Sequence, residues 1–96
     1  MGATTFQVRA KAKDAATAFK LLVDEALHEH GHGGYTGTIA EKREFKMVPR
    51  KPYVQSTTVI AECFANDNHF CNDKWGPAAC VEAPIGTFTF FGTASC

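Results

Sequence analysis

Long apolar runs and a net charge are both missing from this sequence of 96 residues. A membrane-spanning helix needs about 20 consecutive apolar residues. No run approaches that length, so no membrane span is expected. The first residues, MGATTFQVRAKAK, lack an apolar stretch after a basic start, so no signal peptide is expected either. Ten Lys and Arg balance ten Asp and Glu. A general nucleic-acid binder needs a net basic face, so nucleic acid is not expected as a partner.

Basic residues are scarce in the second half of the chain. Residues 53–96 hold Lys74 as their one cation against four Asp or Glu, whereas residues 1–52 hold nine Lys or Arg against six acids. Opposite charges of this kind attract each other within a fold or between two copies. They are also found on ordinary solvated surfaces, where charge pairs contribute little to stability.

Close pairs of cysteines are missing too. The four cysteines are Cys63, Cys71, Cys80 and Cys96, and no two of them have the CxxC spacing of a zinc ribbon or a redox site. Without a secretion signal, free thiols in a reducing compartment are expected.

The apolar share of 45% and the aromatic share of 11% are typical of a folded domain. The length predicts one domain that spans residues 1–96.

Regular apolar spacing predicts a strand and then a helix at the start of the chain. Phe6, Val8, Ala10 and Ala12 alternate with polar residues, which predicts a half-buried strand. Asp14 is a good N-cap, and helical spacing of the apolar residues continues from there to His30. The glycines after His30 end the helix because they tolerate left-handed backbone conformations.

The middle of the chain is harder to assign. We predict a strand from Tyr35 to Val48, with Ile39, Phe45 and Met47 facing inward and a bulge between Glu41 and Arg43. Helical and β-branched patterns both fit residues 53–64, and a helix is preferred. NDNHFCNDKWGP then predicts a long polar loop.

The end of the chain predicts a hairpin formed by residues 78–82 and 87–94. Phe91 falls on the opposite face of the last strand from Phe88 and Phe90. The element order is therefore β-α-β-α-β-β. It indicates an α+β two-layer sandwich, with helices on one face of a mostly antiparallel sheet. A two-layer fold does not bury both faces of the last strand, so a partner, a second copy or the chain's own loops must cover the outer ring.

Three stretches together resemble motifs of a group of small uncharacterised bacteriophage or prophage proteins. They are HGGYTGTIAEK at 32–42, DKWGPAACV at 73–81 and FTFFGTAS at 88–95. The resemblance implies a phage or prophage source and action in the cytoplasm of a bacterial host. It implies no catalytic residue.

The run HEHGHGGYTG at 28–37 admits several chemical interpretations. His28 and His32 have helical i, i+4 spacing suited to a zinc ion, with His69 and Cys71 as further ligands, but they also suit the end of a helix. The glycines follow a helix and therefore do not match a phosphate-binding loop, although a looser anion site with Lys42, Arg43 and Lys46 stays open. His69 also permits a nucleophilic pair with Cys63, Cys71 or Cys80, with Asp67 and Asp73 nearby in sequence.

We therefore expect a non-enzymatic protein that acts by binding, with no cofactor, no metal ligand and no catalytic residue. The leading hypothesis is a phage accessory protein that docks on a host protein as a host-takeover or anti-defence factor. A homodimer is the form expected for it. The alternative is a small-ligand or nucleotide binder with a pocket around the HGGYTGT loop. Its predicted residues are His32, Tyr35, Thr36, Thr38, Lys42 and Trp75. A hydrolase that uses His32 or Cys71 is the least favoured hypothesis.

Overall fold

Two α-helices, two short 3-10 helices and four strands make up the part of the chain that the structure describes. The computed structural model describes residues 2–30, 37–51, 53–83 and 85–95, without the side chains of His30 and Ser95. In chain order the elements are β1 (Ala3–Lys11), α1 (Ala15–His30), a first 3-10 helix (Ile39–Glu41), β2 (Phe45–Met47), α2 (Ser56–Ala65), a second 3-10 helix (Phe70–Asn72), β3 (Ala78–Glu82) and β4 (Thr87–Ser95). The predicted α+β class and the order of the helices and strands are confirmed.

The four strands make one sheet in the order β1-β4-β3-β2. β4 pairs antiparallel with both β1 and β3, whereas β2 pairs parallel with β3. A parallel pair needs a long crossover connection. The segment between β2 and β3, which contains α2, supplies it. The sheet is therefore mostly antiparallel, as predicted, with one short parallel edge strand.

The helices do not lie on one face of the sheet, and this part of the prediction was wrong. Phe90 packs with α1 residues such as Leu22, whereas Phe91 packs with α2 residues such as Ile60. Neighbouring residues of a strand point to opposite faces, so α1 and α2 cover opposite faces. The fold therefore has three layers, with the sheet between the two helices.

The chain itself covers the second face of β4. Phe90 and Phe91 are both fully buried. The Phe91 ring lies 5.6 Å from the ring of Phe64 on α2, and the Phe90 ring lies 5.4 Å from that of Phe19 on α1. Of the alternatives for the outer ring, cover by the chain itself is the one observed, and it comes from helix α2 rather than from a loop. These rings therefore give no reason to expect a second copy.

Local signals explain the first strand and helix. Phe6 is buried in the core under α1, with Val8 and Ala10 packed against it, as the alternation predicted. The carboxylate of Asp14 accepts a hydrogen bond of 2.8 Å from the backbone N–H of Thr17, and this contact lowers the pKa of Asp14 below 3.8. Asp14 is therefore the predicted N-cap.

The predicted strand from Tyr35 to Val48 is mostly wrong over residues 37–48, and its first two residues lie outside the described ones. Pairing with β3 is limited to Phe45–Met47, and Ile39–Glu41 is a 3-10 helix. Ile39 is buried against α1 and Phe45 is half-buried, but Met47 is 49% exposed. The helix propensity of residues 39–41 outweighed the strand pattern because the hydroxyl of Thr38 caps a helical turn there.

The predicted helix over 53–64 is confirmed as α2, and the predicted hairpin as β3 and β4. The polar stretch before β3 is not only a loop. Its second 3-10 helix buries Cys71 completely in the α2 layer. No helix in the described ranges is long and apolar enough to cross a membrane.

Candidate functional site

The ammonium group of Lys42 is buried and holds the loop that carries Trp75. Lys42 is 4% exposed, and its Nζ donates to the carbonyl oxygens of Asp73 at 3.3 Å, Lys74 at 3.2 Å and Gly76 at 2.8 Å. An ammonium has three donors. Three acceptors match that number, which is what a buried charge needs. Burial lowers the pKa of Lys42 below 10.5, and the nearby carboxylate of Asp73 opposes that shift.

The residues before Lys42 set its position. Gly37 has a φ of 72°, a left-handed conformation that glycine adopts without strain. The hydroxyl of Thr38 accepts a hydrogen bond from the Ala40 amide and begins the first 3-10 helix. Ile39 anchors that helix because it is only 1% exposed in the α1 layer. Lys42 is the C-cap residue of this 3-10 helix. The helix therefore fixes the backbone position from which the Lys42 side chain reaches residues 73–76.

The loop that Lys42 holds is a tight turn. The Asp73 carboxylate accepts a hydrogen bond from the Trp75 amide at 2.9 Å, and the Asp73 carbonyl accepts one from the Gly76 amide at 3.0 Å. A Cβ atom on Gly76 would lie 3.2 Å from Cβ of Asp73 and 3.3 Å from the Phe70 carbonyl oxygen. A larger residue would therefore crowd the turn.

Trp75 stands at the tip of this turn with its side chain in solvent. It is 65% exposed, and the ammonium of Lys74 lies 5.3 Å from the centre of its ring. That distance allows a cation–π contact. The backbone around Trp75 is thus fixed by Lys42 and Asp73, while most of the indole is exposed to solvent.

Three of the six predicted ligand residues, His32, Tyr35 and Thr36, lie outside the described residues. Of the three described residues, Lys42 lies beside the loop of Trp75, as expected if the two residues belong to one site. Its ammonium binds that loop, and the hydroxyl of Thr38 caps a helix. The two resemblance motifs at 32–42 and 73–81 therefore meet through Lys42, a contact that sequence spacing does not reveal.

A second cation has a similar structural role, and sequence reasoning missed it. Arg50 donates from Nε to the Glu82 carbonyl at 3.3 Å, and from Nη1 to the carbonyls of Lys51 at 3.2 Å and Val54 at 2.7 Å. It joins the segment after β2 to the end of β3. A basic residue between two prolines, in VPRKP, was the available signal.

The pair of His69 and Cys71 does not form a nucleophilic arrangement. Nδ1 of His69 accepts a hydrogen bond of 3.1 Å from the backbone amide of Cys71, so the imidazole caps the second 3-10 helix. Burial raises the pKa of the Cys71 thiol to about 11, and the nearby Cys63 thiol adds to the shift. Burial also raises the pKa of Cys80 to about 12. Thiols with raised pKa values are poor nucleophiles at neutral pH.

Within the described part of the chain, no group of three or more His, Cys, Asp or Glu side chains is placed to hold a metal ion. His32, the predicted partner of His28, lies outside that part. No protein family, curated protein or solved structure gives a match to this chain. The resemblance to phage proteins therefore stays a prediction, and function is argued from the site itself.

Proposed function

We propose that this protein acts without catalysis, by binding another protein through the surface that displays Trp75. The observation that carries this proposal is the exposed indole on a loop fixed by the buried Lys42 ammonium. Tryptophan is enriched among the residues that contribute most to protein interfaces. A loop that is ordered before binding loses little entropy when the complex forms.

The construction of the loop supports a role beyond packing. The side chain of Trp75 is not needed to fill the core, since it is 65% exposed. The loop nevertheless occupies all three donors of a buried ammonium and a carboxylate of its own. Burying a charge is costly unless it is fully hydrogen-bonded. A loop fixed in this way keeps the surface around Trp75 in one shape, as binding to a partner requires.

The proposed setting comes from the resemblance to phage proteins alone. In that setting the partner is a host protein in the bacterial cytoplasm, and the protein serves as a host-takeover or anti-defence factor. Trp75 lies within the second resemblance motif and Lys42 ends the first. In this proposal the motif at 32–42 supplies the lysine that holds the loop, and the motif at 73–81 supplies the loop and the exposed indole.

The alternative of a small-ligand pocket has less support from the described residues. Lys42 was expected to offer its charge to a ligand, but its three donors bind backbone carbonyls. Native mass spectrometry of protein purified from bacterial cells separates the two hypotheses. A small molecule retained at a fixed stoichiometry and lost in Trp75→Ala would favour the ligand hypothesis over the partner hypothesis.

The direct test is affinity capture from a bacterial lysate with three forms of the protein: wild type, Trp75→Ala and the control Leu21→Ala. Leu21 is a matched control because it is a large apolar residue on α1 that is 53% exposed. We expect a host protein that wild type and Leu21→Ala retain and that Trp75→Ala loses, while all three unfold at the same urea concentration. If Trp75→Ala captures the same proteins as wild type, the proposal is wrong.

A further inference from the structure

The outer edge of β2 presents backbone groups that an added strand requires. The Ala78 amide donates to the Glu44 carbonyl, and the Val48 amide donates to the Cys80 carbonyl. In this parallel register the N–H and C=O groups of Phe45 and Met47 point away from β3. β2 is the last strand of the sheet on this side, and no strand among the described residues pairs with that edge. Phe45 and Met47 lie two positions apart, so their outward N–H and C=O groups match the hydrogen-bonding pattern of an added strand.

An open groove lies where β2 and β3 end, next to this edge. It has a volume of about 410 Å³ and is lined by Met47, Val48, Pro49, Arg50 and Glu82. Met47 is 49% exposed there. Arg50 is held by the Glu82 and Val54 carbonyls, so one wall of the groove is fixed.

Two more exposed apolar side chains belong to segments that border the groove. Tyr53 is 80% exposed and precedes Val54, whose carbonyl binds Arg50. Ile85 is 96% exposed and precedes Gly86, whose amide donates to the Glu82 carboxylate at 2.9 Å. With Met47, three of the five exposed large apolar residues of the described chain belong to this end of the sheet.

The charges beside this edge are mainly positive. Arg43, Lys46 and Lys51 are exposed around β2, against one exposed carboxylate, Glu44, and two half-buried ones, Glu41 and Glu82. The Glu82 carboxylate already accepts a hydrogen bond from the Gly86 amide. Acidic side chains on an added strand would therefore be attracted, and basic ones repelled.

A second copy of this chain is a poor occupant for the same reason. The other edge strand of the sheet, β1, carries Arg9 and Lys11 and no acid. Pairing β1 of one copy with β2 of another brings like charges together, and basic edge residues are a known protection against such pairing. A nucleic acid would match the charge but offers no regular backbone N–H and C=O groups for Phe45 and Met47.

We propose that the edge of β2 binds an extended acidic segment of another protein, which adds a fifth strand to the sheet and places an apolar side chain in the groove beside Met47. This mode of peptide recognition combines backbone hydrogen bonds for affinity with side-chain pockets for specificity. This proposal concerns a different surface from that of Trp75, and it does not depend on the function proposed for Trp75.

Two synthetic seven-residue peptides test the proposal on the full chain: one alternates Glu with Val, the other Lys with Val. Titration is followed by amide NMR spectra and by hydrogen exchange. We expect the acidic peptide to shift the amide signals of Phe45 and Met47, to slow their exchange and to bind more weakly as salt is added. No shift at millimolar peptide, equal shifts with the basic peptide, or shifts confined to other residues would each overturn it.

Met47→Pro is the sharpest variant. It removes the outward N–H and leaves every bond to β3 in place, and proline is tolerated on an edge strand. We expect binding of the acidic peptide to weaken by about tenfold, the loss typical of a blocked backbone hydrogen bond. Full binding by folded Met47→Pro would overturn the proposal.

A charge-reversal variant decides the matter if the proline variant does not fold. Arg43→Glu combined with Lys51→Glu changes exposed side chains alone, and we expect about fivefold weaker binding at low salt. Unchanged binding in this variant contradicts the proposal. Trp75→Ala is the control and keeps full binding of the peptide, which separates this proposal from the one based on Trp75.

Discussion

The Nζ atom of Lys42 lies 2.8 Å from the carbonyl oxygen of Gly76, although 34 residues separate the two in the chain. This contact joins the end of the first 3-10 helix to the turn that displays Trp75. A hydrophobic residue at position 42 would fill the same space but leave the carbonyls of Lys74 and Gly76 without the Lys42 donor, while the Asp73 carbonyl would keep the Gly76 amide.

We therefore expect Lys42→Met to lower the free energy of unfolding by about 1.5–3 kcal/mol, the typical contribution of hydrogen bonds to a charged group. Trp75 is the single tryptophan of the chain, so its fluorescence reports on the loop. Its anisotropy should fall in Lys42→Met before global unfolding, measured in a urea titration. Lys20→Met, which changes an exposed lysine of α1, is the control and should leave both quantities unchanged.

The two neighbouring phenylalanines of β4 give a second prediction. Since each is fully buried under its own helix, Phe90→Ala and Phe91→Ala should each cost about 3–5 kcal/mol of stability. Urea unfolding measures that cost, and light scattering measures the mass in solution. If Phe91→Ala left stability unchanged and altered only the mass, then Phe91 would belong to an interface between copies.

The start of α1 gives a prediction about acid. The pKa of Asp14 is lowered by the Thr17 hydrogen bond, so the folded state favours the carboxylate. Stability from this cap is complete above pH 3.8 and is lost as the pH falls through the lowered folded pKa. Asp14→Asn keeps an acceptor without a charge, so this part of the acid dependence should disappear from its urea unfolding curves. Asp14→Ala should be less stable than Asp14→Asn at neutral pH.

The buried thiols give a prediction about alkali and about reactivity. Cys71 and Cys80 have folded pKa values of about 11 and about 12 against an ordinary value of 9.0. Stability is therefore complete below pH 9.0 and falls as the pH rises from there towards those values. At neutral pH, iodoacetamide should label Cys63, Cys71 and Cys80 slowly in the native protein and quickly in urea, as peptide mass spectrometry can follow. Fast labelling of native Cys71 would revive the nucleophile hypothesis.

Elements with a regular period were predictable from the sequence. β1 alternates, α1 has an N-cap and helical spacing, and the last two strands flank a short turn. Each of these signals is local and can be read from a short stretch of sequence, although β1 still needs β4 as its pairing partner. The third layer was also implicit in the sequence, because Phe90 and Phe91 must point to opposite faces and both are large and apolar.

The segment from Gly37 to Met47 was not predictable in the same way. Ile39 is buried by α1, and Lys42 takes its position from carbonyls of residues 73–76. A lysine in a polar run looks like a solvated side chain, and nothing beside it in the sequence marks its acceptors. The same holds for Arg50, whose acceptor on Glu82 lies 32 residues away.

The pairing of β1 with β4 joins Ala3 to Ser95 across the sheet. During translation, β1 and α1 leave the ribosome long before the strand that covers the edge of β1 is made. Until then Phe6 and the apolar side of α1 lack their main partner, and this is the period when a chaperone would have most to bind. The same adjacency brings residues 3 and 95 together in space, so a short linker between them, with new ends opened in the turn at Ile85 and Gly86, should yield a circular permutant with the same sheet.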